Sequence, residues 1–228
     1  KTMMERITAR KNPLLQQVRK LLSSRKEREN TGLFVADGTK LLSEAVKWWP
    51  GLETVILSDG VEADVPAHVR VVSVPRDVME SISPMATPQG ALFLCRLPEK
   101  TAFVPKPGML ILDGIQDPGN LGTIIRVADW FGVDAIFASP GTVEVWNPKV
   151  VQATMGAIFR KQVIYTDLSE ICRKFSAAGL PVYGTFLDGK NLYENLPSDA
   201  KHGLVVMGSE SFGISPALES LITNKLLI

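Results

Sequence analysis

Two short stretches of this chain combine residue types that bind and activate small charged molecules. The first, LDGIQDPGNLGTIIRVADWFGVDAIF, begins at Leu112 and runs from an apolar segment into Gly114, Asp117, Pro118, Gly119, Asn120 and Gly122. A helical pattern carrying Arg126 follows. The second, VVMGSESFGIS, sets Gly208, Ser209, Glu210 and Gly213 directly after another apolar segment. Glycines at such turns permit tight bends or close backbone approach to a ligand. A guanidinium offers a planar fork for a phosphate or a developing oxyanion. Neither loop is a standard phosphate cradle. The first has Gly119-x-x-Gly122 but no G-x-G-x-x-G, and the second has Ile214-Ser215 where a P-loop needs Lys-Ser/Thr. Each loop could equally do no more than join a strand to a helix. Arg126 could equally pair with Asp129 at i,i+3.

The elements that must position these residues follow from periodicity. Asn120 suits an N-cap, and Leu121, Ile124, Ile125 and Ala128 form one apolar stripe, which predicts a helix from Asn120 to Phe131 with Arg126 off the stripe. Before it, MLILD is a nearly unbroken apolar strand of the kind buried on both faces of a parallel sheet. After it come strand AIFAS, a helix from Pro148 to Ile158, strand QVIY, a helix Leu168–Ala178, strands PVYGTF and GLVVMG, and a helix Pro216–Ile222. KLLI at the end reads as a strand. The first part of the chain gives helix NPLLQQVRKLLSS, strand LFVADG, helix TKLLSEAVKWW, strands TVILS and VRVVSV, helix RDVMESIS and strand GALFLCRL. Between the parts, residues 98–107 hold several prolines and read as a linker. Alternating strands and helices predict an α/β fold whose ligands sit beyond the strand C-termini.

The totals narrow the class of protein. The chain has 228 residues, 45% hydrophobic and 21% charged, ordinary values for a globular protein. No apolar run is long enough for a transmembrane helix, so no membrane partner is expected. Cys95 and Cys172 lie far apart in apolar surroundings and read as buried thiols of a reducing, cytoplasmic compartment. His68 and His202 stand alone, outside any metal-ligand spacing, so no metal is expected. Net charge is +1, yet residues 1–30 hold nine Lys/Arg against three Glu. A basic leading segment is a surface for RNA phosphates or, alternatively, a solvated helix.

Taken together, the two motifs resemble those of the SpoU (TrmH-like) RNA ribose methyltransferases of the SPOUT superfamily. NPKVVQATMGAIF resembles a family stretch that usually has Arg where Gln152 stands here. The first part, with RENTGLFVADGTKLLSEAV and ISPMATPQGALFL, resembles the L30e-like RNA-binding domain that precedes such catalytic domains. The resemblance implies an L30e-like domain at 1–97, a linker at 98–107 and a SPOUT domain at 108–228 with a mostly parallel sheet and a C-terminal trefoil knot. It also implies a homodimer acting on rRNA or tRNA. Ile228 would begin the family's third motif, whose continuation is missing from this chain. A chain that truly ended there would be inactive.

By the same resemblance, Asn120, Arg126 and Glu210 form the catalytic set. Gly208, Ser209, Gly213 and Ile228 hold S-adenosylmethionine. Asn147 is a substrate-side candidate, although it can simply start a helix, just as Glu210 can simply cap one. The chemistry this requires is alignment of a ribose 2′-hydroxyl with the sulfonium methyl, with stabilisation of the forming alkoxide. Alignment alone contributes about 7–11 kcal/mol in favourable cases. A guanidinium with a pKa above about 12 is a poor proton acceptor, so Arg126 is expected to orient and stabilise. Two other readings stay open: an RNA-binding protein that keeps the fold without catalysis, and a doubly wound nucleotide-binding oxidoreductase, which the missing G-x-G-x-x-G counts against.

Overall fold

A computed structural model describes residues 4–100, 106, 108–194 and 203–228. Most of the 98–107 segment read as a linker, and His202, lie outside the described residues. The chain forms two compact units. One comprises residues 1–100 with 146–160, and the other residues 101–145 with 161–228.

The first unit is a five-stranded sheet with helices packed on it. Its elements are β1 (Glu5–Arg6), α1 (Pro13–Ser23), α2 (Arg25–Thr31), β2 (Leu33–Asp37), α3 (Thr39–Trp48), β3 (Leu52–Ser58), β4 (Arg70–Val74), α4 (Arg76–Ile82) and β5 (Ala91–Arg96). The strand order is β1-β4-β3-β5-β2, with β1, β4 and β3 parallel and β5 antiparallel to both β3 and β2. Asn12 caps α1 by accepting the Leu14 N–H at 2.9 Å. Leu14, Leu15, Val18 and Leu21 then face the core with Val35, Ile56, Val72, Leu92 and Leu94, as the spacing predicts. Helix α2 has no apolar stripe and was not legible from periodicity. Ser24 caps it through the Glu27 N–H, and the buried Arg28 guanidinium donates to the Leu21 carbonyl at 2.5 Å.

The second unit contains β6 (Met109–Asp113), α5 (Pro118–Trp130), β7 (Ala135–Ala138), β8 (Gln162–Tyr165), α7 (Leu168–Ala177), β9 (Val182–Asn191), β10 (Leu204–Gly208), α8 (Pro216–Glu219) and β11 (Asn224–Leu227); α6 (Pro148–Ala153) falls between β7 and β8 in the chain but packs with the first unit. Six strands in the order β11-β9-β10-β6-β7-β8 form a wholly parallel sheet; the cover expected on both faces of MLILD and LVVM is complete for Met109, Ile111, Leu204 and Val206, whereas Leu110, Val205 and Met207 are only half-buried. Met109, Ile111, Phe137, Phe175, Val182, Leu204 and Val206 are buried together.

Helix α6 is shorter than the predicted Pro148–Ile158. Met155 at φ 52° and Gly156 at φ 96° turn the chain out of helical geometry, and a short 3-10 turn, Ala157–Phe159, follows. Trp146 packs on Phe34 with ring centres 4.4 Å apart. Phe159 lies near Trp49 and Phe93, and Arg160 forms an ion pair with Glu44. Predicted helix Pro216–Ile222 likewise ends early, at Glu219.

One buried carboxyl has a thermodynamic consequence. Asp37, 3% exposed, accepts the Ser83 hydroxyl on Oδ2, and its Oδ1 has no partner among the described residues. Burial pushes its pKa up, against the Ser83 bond, which favours the carboxylate. A carboxyl raised in the folded state binds its proton more tightly there, so its contribution to stability is greatest at acid pH and declines as pH rises through the raised value. Asp37→Asn is therefore expected to unfold at higher urea than wild type at pH 7. The two midpoints should converge as pH falls below that range, as followed by circular dichroism.

Candidate active site

The two glycine-bearing loops leave the sheet side by side. Strands β6 and β10 are neighbours in register, with Gly208 opposite Asp113. A parallel sheet places all its strand C-termini on one edge, where loop amides and side chains converge. Asp113 fastens the two loops together, because its Oδ2 accepts the Ser215 N–H at 2.8 Å. The turn between them and α8 is closed by reciprocal backbone bonds, Ser209 N–H to Gly213 O at 3.1 Å and Gly213 N–H to Ser209 O at 2.8 Å. The Ser209 hydroxyl accepts the Phe212 N–H at 2.9 Å. A Cβ at Gly208 would overlap the Gly213 carbonyl group, so that position admits only glycine while the turn stays closed.

The loop after β7 supports the loop after β6. Ser139 Oγ accepts the Gly114 N–H at 2.8 Å and meets Thr142 Oγ1 at 3.1 Å. The Val143 N–H bonds to the Ile115 carbonyl at 2.8 Å, and the Tyr165 hydroxyl donates to the Val143 carbonyl. Asp113, Ser139 and Thr142 were not singled out from the sequence. The signal for the latter two was the turn composition of SPGT directly after a buried strand.

Helix α5 starts earlier than predicted. Asp117, not Asn120, is the N-cap, and its carboxylate accepts the Asn120 N–H at 2.7 Å. Pro118 accounts for the shift: it lacks an N–H and its fixed φ suits the first helical position, so the cap falls on the residue before it. The Asn120 side chain is thereby released from capping and is exposed. Leu121, Gly122, Ile125 and Ala128 are buried. Arg126 is exposed, and no hydrogen bond or ion pair of its guanidinium occurs among the described residues. It lies about 9 Å along the axis and about 120° around it from Asn120. Helical side chains lean toward the N-terminus, which directs the long Arg126 side chain back toward the loop end of α5.

The structure thus brings Gly208, Ser209, Glu210 and Gly213 beside the Asp113–Asp117 loop that starts α5. Glu210 is exposed in the turn and caps no helix; α8 begins at Pro216 with no side-chain cap. Ile228 follows β11, which β9 separates from β10, so Ile228 is not placed beside Gly208 by strand pairing. Asn147 caps α6 through the Lys149 N–H at 2.9 Å, its structural reading. Burial, then the Asp113 charge, raises the Cys172 thiol to about 11, and burial pushes Cys95 up as well, so neither supplies a thiolate nucleophile at neutral pH. Among the described residues no His/Cys/Asp/Glu group could hold a metal ion, and no helix is long and apolar enough to cross a membrane.

A wholly parallel sheet with two glycine-bearing turns clasped at its C-terminal edge, together with a separate mixed-sheet unit, defines a two-unit α/β protein. Residues 107–228 match the model of the SpoU rRNA methylase family, and residues 3–92 match that of the MRM3-like substrate binding domain. The chain belongs to the SpoU rRNA methylase family. It is 32% identical to the Bacillus subtilis protein named 23S rRNA (guanosine(2553)-2′-O)-methyltransferase, over 94% of this chain and 86% of that one. Among solved structures, it resembles a TrmH-family protein from Porphyromonas gingivalis (TM-score 0.83, 37% identity, covering 94% of this chain and 86% of that one). It also resembles an S-adenosylmethionine-bound rRNA methyltransferase from Sinorhizobium meliloti (TM-score 0.85, 26% identity, covering 99% and 88%). The protein is accordingly an RNA methyltransferase that uses S-adenosylmethionine, and the oxidoreductase reading is set aside.

The role of Asp117 can be measured directly. Asp117→Ala is expected to cost about 1 kcal/mol, read as a lower urea midpoint with an unchanged denaturant slope.

Proposed function

We propose that this protein methylates a ribose 2′-hydroxyl of ribosomal RNA, with Arg126 orienting the substrate and the Gly208–Gly213 turn holding the methyl donor. The observation that carries the reading is the Asp113–Ser215 clasp, which sets the second motif's turn beside the loop that delivers α5. The residues present fit the donor. Gly208 lets the turn close against the Gly213 backbone, Gly114 and Ser209 adjoin each other across it, and Glu210 is exposed in the turn. When bound, S-adenosylmethionine supplies a methyl group on a positively charged sulfur. Held by the Gly208–Gly213 turn, it would supply that methyl to O2′, with the hydroxyl proton passing to solvent.

The part of Arg126 is to hold the flanking phosphate in a two-point grip and to stabilise charge as it gathers on O2′. The Asn120 amide, freed from capping, can hydrogen-bond the sugar or the donor, and Glu210 can receive a donor hydroxyl or order the turn. The 2′-O position in the Bacillus relative's name supports the choice of reaction, and the substrate-binding match of residues 3–92 supports RNA as the partner.

A homodimer completes the reading. Trp130 and Phe131 end α5 at 85% and 77% exposure with Val127 half exposed, an apolar cluster suited to a second copy. The two buried free thiols suit a reducing cytoplasm.

Arg126→Lys retains charge but loses the fork, and is expected to lower turnover about a hundredfold or more with donor binding by calorimetry unchanged. Near wild-type turnover would remove the two-point grip. Gly208→Ala is expected to abolish donor binding by calorimetry, whereas unchanged affinity would take the turn out of the donor site. RNA affinity should fall steeply between low and moderate salt in a filter-binding assay, and a flat response would contradict a phosphate-led grip.

A further inference from the structure

The first unit carries an exposed aromatic surface outside the residues assigned to methyl transfer. Trp48 and Trp49 end α3 but have different surroundings. Trp49 packs among Phe34, Trp146 and Phe159, and its indole N–H donates to the Arg96 carbonyl at 3.1 Å. Trp48 keeps 46% of its surface exposed. Two cations lie over its ring, Lys47 Nζ 5.0 Å and the Arg160 guanidinium carbon 5.9 Å from the centre.

Arg160 is held there by more than the ring. It forms an ion pair with Glu44, one helical turn before Trp48. Gly156 presses on Glu44 so closely that an added Cβ would stand 2.7 Å from Glu44 Cγ. The bend at Met155 and Gly156 brings the chain to this point, and Met155 itself is 56% exposed at φ 52°. Indole, guanidinium and carboxylate therefore form one ordered set on the surface of the unit. This unit carries 17 Lys/Arg against 12 Asp/Glu, a surplus of five positive charges.

We propose that Trp48 is a stacking platform for an unpaired nucleobase of the RNA substrate, the base displacing the Lys47 ammonium from over the ring to the adjoining phosphate. This rests on the reading of RNA as substrate and adds a contact surface to it. A nucleotide presents a flat π-face joined to a phosphodiester, and an indole beside two cations matches both parts at once. An apolar protein partner would match the ring but leave Lys47 against uncharged surface, so charge complementarity favours the nucleotide. Recognition by stacking tolerates any base, so the platform would grip single-stranded or flipped-out nucleotides and not paired helix.

The test uses the whole chain and a fluorescent single-stranded RNA of mixed sequence, about 12 nucleotides long, with binding read by anisotropy. Trp48→Ala is expected to weaken binding about tenfold, and Trp48→Leu to weaken it as much, because leucine keeps apolar bulk without a π-face. Trp48→Phe should restore most of the affinity. Lys47→Ala should reduce the slope of log affinity against log salt by about one. Wild-type affinity in Trp48→Ala would overturn the platform. Wild-type affinity in Trp48→Leu would overturn stacking in favour of plain apolar contact. Circular dichroism of each variant reports folding, and the exposed position predicts native spectra. If the wild-type chain itself fails to bind this RNA and intact ribosomal RNA, the substrate reading fails and the platform with it. Binding that is indifferent to Trp48 overturns only the platform.

Discussion

A carboxylate at the end of a buried strand holds the candidate site together. Asp113 closes β6, and its bond to the Ser215 amide draws the second glycine-bearing turn against the first. Because β6 and β10 are adjacent and parallel, their C-terminal ends are already neighbours, and the bond fixes how the loops leave them. The tight closure at Gly208, the Ser209–Gly213 bridge and the start of α5 all build on that alignment. A partly buried charge-assisted bond of this kind is worth more than a neutral one. Its geometric effect is larger still, since it sets the register of two segments about a hundred residues apart in the chain.

The local devices around this clasp are inexpensive and redundant. The Asp117 cap with Pro118 sets where α5 begins. Ser139 and Thr142 hold the Gly114 amide and the strand end from the other side. Each is a turn or cap of a common kind, and together they hold the loops at one edge of the sheet in fixed positions. Such preorganisation suits methyl transfer, in which the donor's methyl is electrophilic from the outset and the protein's main task is alignment and charge stabilisation.

Much of this was legible in the sequence where a physical period or a special residue announced it. Leu14, Leu15, Val18 and Leu21 marked α1, and MLILD and LVVM marked central parallel strands. The two motifs pointed to the methyltransferase family that the comparisons then established. Legibility failed where the determinant was not periodic. RKERENT gives no apolar stripe, and its helix depends on Ser24 and on the burial of Arg28. The two residues of β1 form a strand only because β4 is there to pair with them. Asn120 looked like a cap in composition, but Pro118 moved the boundary. The end of α6 was overrun because an apolar pattern continued through Met155 and Gly156, while their backbone angles turned away. Strand order, and with it the separation of Ile228 from Gly208 by β9, depends on topology that no local pattern encodes.

The segment 146–160 belongs to the second part by chain order and to the first unit by packing. Its Trp146 and Phe159 complete an aromatic cluster with Phe34, Trp49 and Phe93 that residues 1–100 cannot fill alone. The two units are therefore not beads on a string. Excising the leading hundred residues as a module would strip its sheet of an aromatic cover and leave the second unit with an orphaned excursion. Exchange of the first unit of this chain must carry these fifteen residues along with a segment to which they are not contiguous, so recombination at a single breakpoint cannot transfer it intact.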